Sequence, residues 1–184
     1  MLMPKLDVEF KNQIKSLSKA DLEEIVIRVA GKNKEIYDFL LVNYFDTQYG
    51  EKDLFEEAQN EIRLLFTKKY RGFSEELQLA AMIEACVKRI NEFQKICKNK
   101  NLEADLILMV LDEVFTHSAN LLGTCFTKFD YRVGLLLKRL ITLVTNKLHP
   151  DFMLEYRKKI NDYLQVLHKT STHLDFIYAM PKSI

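Results

Sequence analysis

Apolar residues recur along this chain at three- and four-residue intervals and almost never in strict alternation, which predicts helices throughout. Leu6, Phe10, Ile14 and Leu17 mark a short first helix. Ser18 reads as the N-cap of a second, with Asp21 in its first turn, and Leu22, Ile25, Val26 and Val29 form its stripe up to Gly31. Ile36, Phe39 and Leu40 carry a third helix that closes between Asp46 and Gly50. A fourth runs from about Lys52 to Tyr70, with Leu54, Ala58, Ile62 and Leu65 inward, and Gly72 stops it. Ser74 caps a fifth that reaches about Lys98, and Leu79, Met82, Cys86, Ile90, Phe93 and Cys97 share one of its faces. The sixth, about Leu102 to Leu122, and the seventh, about Tyr131 to Leu148, are apolar nearly all round and belong at the centre. Pro150 is suited to the first position of an eighth, whose buried face is Met153, Tyr156, Ile160, Tyr163 and Leu167. The tail from Thr170 is mixed.

The expected fold is therefore all-α, with about eight helices in antiparallel hairpins. Residues 1–184 form a single domain, and 1–50 form a three-helix N-terminal subdomain. Segments 51–98 and 101–148 are of equal length, near the period of two-helix repeats. Lys88-Arg89-Ile90 and Lys138-Arg139-Leu140 fall at similar places in them. Two architectures stay open: an irregular helical bundle and a short degenerate helical-hairpin array.

Composition adds exclusions. Only 5 glycines and 3 prolines occur in 184 residues, and no glycine-rich loop exists to cradle a nucleotide. The net charge is +1, so no global field selects nucleic acid or an anionic membrane. Basic clusters occur at Arg63 to Arg71, at Lys88 to Lys100 and at Arg157-Lys158-Lys159. The first two close helices that begin with acidic residues, which is the charge order a helix dipole favours. No apolar run is long enough for a signal peptide or a membrane span, so the expectation is a cytoplasmic protein with no membrane partner. Cys86, Cys97 and Cys125 lack zinc-site spacing and read as small hydrophobes.

Catalytic and metal signatures are absent, including HExxH, GxSxG, the P-loop, the EF-hand loop and paired Glu-x-x-His. No cofactor and no metal are expected. The polar feature that stands out lies in the apolar sixth helix. Glu113, His117 and Asn120 fall at i, i+4 and i+7 on one face, beside Asp112 and Thr116. With a helical hairpin turning near Thr127, Arg139 of the seventh helix comes level with residue 112. One reading is a small site, with a carboxylate and an imidazole for proton transfer and Arg139 holding an anion. The other is an interhelical salt bridge beside a half-exposed histidine. His149, His168 and His173 are too poorly aligned for a metal site.

Leu17-Ser18-Lys19-Ala20-Asp21-Leu22 with Ile25, then Tyr37-Asp38-Phe39, Glu57-Ala58 with Ile62, and Ala85 with Ile90 and Phe93, resemble an uncharacterised family of small all-helical bacterial proteins. The resemblance implies no reaction, cofactor or substrate. It implies only that His173 and Asp175 match a histidine–aspartate pair near the C-terminus.

Three functions follow as expectations. The first, reached by elimination, is a non-catalytic protein-interaction or scaffold protein, since helical arrays expose grooves for partner helices. The second is a small enzyme or ligand-binding protein using Glu113, His117 and Arg139. The third is nucleic-acid association through basic helix ends. The partner class expected is protein, and the oligomeric state stays open.

Overall fold

The computed structural model describes residues 6–46 and 49–184, so expectations at residues 1–5 and 47–48 lie outside it. Most of its described residues are helical, with no strand among them. The order is α1 (Val8–Ser16), α2 (Lys19–Ala30), α3 (Lys34–Leu40), α4 (Tyr49–Thr67), α5 (Glu75–Ile96), α6 (Lys100–His117), α7 (Thr127–Asn146), α8 (Pro150–Thr170) and the single-turn α9 (Asp175–Tyr178). A wider π turn, Leu41–Phe45, continues α3, and a 3-10 turn, Ala119–Leu121, follows α6.

Local chemistry explains the starts. Asp7, Ser18, Asn33, Ser74 and Asn99 each accept a first-turn backbone N–H, relieving the donors a helix leaves unpaired. Pro150 begins α8, where its missing N–H costs nothing. The ends differ from expectation between α6 and α7. Ser118 leaves helical geometry, Leu122 is extended and Gly123 is left-handed, so α6 stops at His117 and α7 starts at Thr127.

Side-chain pairs reveal how the helices run. Asn99 donates to Glu51, and Arg89 to Glu61, so both pairs centre on residue 75 and α4 and α5 are antiparallel. Arg132 donates to Glu84 and Arg139 to Asn91, both at a separation of 48 residues, so α5 and α7 are parallel. Tyr156 donates to Asp105 and Tyr163 to Asp112, both 51 apart, so α6 and α8 are parallel. Contacts also join α4 with α6 and α6 with α7. The result is a helical bundle whose hairpins stack in two layers, α4, α6 and α8 in one and α5 and α7 in the other. Of the two open architectures, the helical bundle describes this packing.

The core lies between the layers. Ile62, Phe93, Leu106, Ile107, Leu111, Leu137, Leu140, Ile160 and Leu164 are fully buried in it. α7 buries residues round most of its circumference because it touches α5, α6 and α8. The C-terminal segment closes one side. Ile177 and Met180 are buried, and the Phe176 ring lies over Gly134, where a Cβ would stand 2.5 Å from the ring tip.

The N-terminal helices behave differently. α3 is tied to the body: Lys34 pairs with Glu57 and Lys95 with Glu35, while Asn43 Nδ2 donates to the Phe39 and Ile96 carbonyls. α1 and α2 bury no residue at all. Their stripe positions Phe10, Ile14, Ile25 and Val26 remain 39–48% exposed.

Candidate functional site

The sixth-helix group does border a cleft. It is open, about 410 Å3, and lies between α4 and α6. α6 lines it with Asp105, Asp112, Glu113 and His117, and α4 with Gln59, Arg63 and Phe66. Glu113 and His117 stand one turn apart, with Oε2 and Nε2 separated by 3.9 Å, beyond hydrogen-bond distance. The His117 side chain is 65% exposed.

The other carboxylates are engaged by α8. Asp112 accepts from Lys159 Nζ at 2.7 Å and from the Tyr163 hydroxyl, and Tyr163 stacks on Phe115. Asp105 accepts from the Tyr156 hydroxyl at 2.6 Å. Burial, and then these carboxylate hydrogen bonds, hold both phenols well above the ordinary tyrosine pKa. They are neutral donors at any physiological pH, and the network reads as an α6–α8 clamp.

Two members of the expected group are elsewhere. Arg139 does not face Glu113 or His117. Its Nη2 lies 2.7 Å from Glu103 Oε1, and it also donates to Asn91 and Gln94. The reason is the hairpin centre. Glu103 and Arg139 are equidistant from residue 121, and the early end of α6 moves the turn there from the expected Thr127. Glu103 is a buried carboxylate with Arg139 on one oxygen and Lys100 on the other. Asn120 also drops out, because α6 ends at His117 and Asn120 lies exposed in the 3-10 turn, so the i+7 face never forms. The cation lining the cleft is Arg63, which helix periodicity alone could not select, because nothing in α4 announces which of its faces meets α6.

His173 does not pair with Asp175. Its Nε2 is 3.8 Å from Asp130 Oδ2, while Asp175 opens α9 and is exposed. Asp130 itself is buried, and its Oδ2 accepts from the Gly123 N–H at 2.9 Å. Its Oδ1 is the one buried side-chain polar atom among the described residues without a hydrogen-bond partner.

The basic clusters do not merge into a stripe. α4 and α5 are antiparallel, so the cluster closing α4 and the one closing α5 lie at opposite ends of the hairpin, about 30 Å apart at 1.5 Å per residue. Within the clusters, Arg89 is spent on Glu61 and Lys95 on Glu35. Among the described residues no helix is long and apolar enough to cross a membrane, and no group of three His, Cys, Asp or Glu side chains converges as metal ligands would.

The thiols divide as burial dictates. Burial pushes the Cys86 thiol up to about 12 and the Cys97 thiol up to about 11, so both stay protonated and unreactive near neutral pH. Cys125 is exposed. A disulfide-exchange reagent at pH 8 is expected to titrate one thiol per native chain and three after unfolding in guanidinium. More than one fast thiol in the native chain would mean that α5 opens readily.

No family model, curated protein or solved structure matches this chain. The likeness to small all-helical bacterial proteins thus rests on helix-face patterns alone.

Proposed function

We propose that this is a non-catalytic interaction protein and that α1 and α2 form its docking element. One observation carries the reading. The chain keeps amphipathic stripes on two successive helices and buries neither, although the rest of the molecule stacks its apolar faces into a common core. Leaving that much apolar surface in water forgoes roughly 25 cal/mol per Å2, which a partner would recover. The cleft supports catalysis less well. Its best-placed carboxylates, Asp105 and Asp112, are held by tyrosines and a lysine, and its Glu113–His117 pair is open to solvent.

The test compares two variants in affinity capture from the source cell. Ile25→Asp with Val29→Asp is expected to lose captured partners at least tenfold. Its thermal midpoint should stay within about 6 °C of the parent, because the replaced side chains are only partly covered and neither belongs to the buried core. Glu113→Ala with His117→Ala is expected to keep the partners. The reverse result would move the function to the cleft.

A further inference from the structure

The stripe on α2 also carries information about its occupant, and the inference drawn from it rests on the docking role proposed above. We infer that this face pairs with a second copy of the chain, α2 against α2 in antiparallel orientation about a two-fold axis near Ile25.

Charge placement is the first argument. Asp21 and Arg28 are seven residues apart, so they lie on the same flank of the Leu22, Ile25, Val26 and Val29 stripe, two turns from each other. In an antiparallel pair related by a two-fold axis, each flank faces its own copy with the ends reversed. Asp21 of one chain then meets Arg28 of the other, and Arg28 meets Asp21, giving two identical ion pairs from one flank. Arg28 is available for this, because its side chain has no ion pair or hydrogen bond among the described residues. Asp21 accepts from the Ser18 hydroxyl at 2.6 Å, which places its carboxylate at the start of the helix and leaves it able to accept more.

The segment's overall charge favours self-pairing over a lipid surface. Residues 6–33 contain five acidic side chains (Asp7, Glu9, Asp21, Glu23, Glu24) and five basic ones (Lys11, Lys15, Lys19, Arg28, Lys32). Helices that lie on anionic membranes carry a polar face rich in lysine and arginine. This segment is instead neutral, with both signs interleaved, which suits a copy of itself.

The area that α2 offers is modest. Ile25, Val26 and Val29 leave 39–46% of their surface exposed. At the size of such side chains this is roughly 240 Å2 of apolar surface per chain, below the ~800 Å2 per partner of a stable interface, so the pair is expected to be weak and to dissociate on dilution.

Sedimentation of the full chain is the test. The parent chain is expected to form dimers that dissociate on dilution. Asp21→Arg sets two arginines against each other at each end of the pair, and Arg28→Asp sets two aspartates against each other there. Each variant alone is expected to weaken the dimer by about tenfold or more. In an equimolar mixture of the two, the heterodimer brings arginines on one chain opposite aspartates on the other and is expected to regain the parental affinity. That rescue excludes simple damage to α2, which mixing would not repair. A parent chain that stays monomeric at its solubility limit overturns the self-pairing. So does a dimer that either single variant leaves unchanged, or a mixture that fails to associate. If the parent is monomeric while Ile25→Asp with Val29→Asp still abolishes capture, the docking role stands and its occupant is another protein. If those substitutions change neither result, the docking role falls as well.

Discussion

Replacing Arg139 by methionine is expected to destabilise the fold by about 3 kcal/mol, because the Glu103 carboxylate loses a principal counter-charge while remaining buried. Glu103 has 2% of its side chain exposed, and its guanidinium partner spans three helices. That partner reaches Glu103 on α6 and Asn91 and Gln94 on α5, all from α7. Lys100 stays within 2.6 Å of the other carboxylate oxygen, which is why the loss is set at the low end of what a broken buried pair costs. In a chain of this size about 3 kcal/mol corresponds to a fall of roughly 6–12 °C in the thermal midpoint. Removing both partners should be milder than removing one. Glu103→Met with Arg139→Met takes away the buried charge together with its counter-charge, and apolar replacements of a buried pair often come close to neutral. Urea unfolding of the parent, both single variants and the double variant forms a cycle, with a coupling above about 1 kcal/mol expected. Additive losses would show that Glu103 draws its compensation from Lys100 alone.

That pair also marks where sequence reading of this chain stops. The helices, their caps at Ser18 and Ser74 and the proline start of α8 are local chemistry, written in consecutive residues. The equal segments 51–98 and 101–148 start 50 residues apart, whereas the α5–α7 pairs are offset by 48 residues and the α6–α8 pairs by 51, so segment length alone does not give the register between hairpins. What periodicity cannot supply is the height at which two helices meet. Moving the hairpin centre from 127 to 121 transferred Arg139 from the Glu113 group to Glu103. It separated a supposed site into a cleft on the α4 side and a structural ion pair on the α5 side. Nor can a stripe say what covers it. Leu22, Ile25, Val26 and Val29 have the same spacing as the buried face of α5, yet one stays partly exposed and the other is core.

Gly123→Ala is expected to destabilise by roughly 2–4 kcal/mol, and its cost has two separable parts. Gly123 has φ +80°, a left-handed conformation in which any side chain carries a penalty of about 1–2 kcal/mol. A Cβ there would also lie 2.5 Å from the Thr170 carbonyl oxygen, and a backbone atom at the end of α8 cannot swing aside. The displacement would pull the Gly123 N–H from Asp130 Oδ2, the one hydrogen bond that this buried carboxylate makes among the described residues. Gly134 is the control. An added Cβ meets an equally short contact, but with the tip of the Phe176 ring, the far end of a side chain that a small swing at χ1 moves aside. Its helical position also gains about 1 kcal/mol in propensity from alanine. Gly134→Ala should therefore stay within about 1 kcal/mol of the parent, far from the loss at Gly123. Amide hydrogen exchange adds a local readout. In Gly123→Ala the α6–α7 loop and the C-terminal turns from Ser171 onward should lose protection first, because Asp130 and the end of α8 link those two segments through Gly123. Equal losses at the two glycines would mean that the contact with Thr170 relaxes as freely as the aromatic ring does. The left-handed turn would then account for the whole effect.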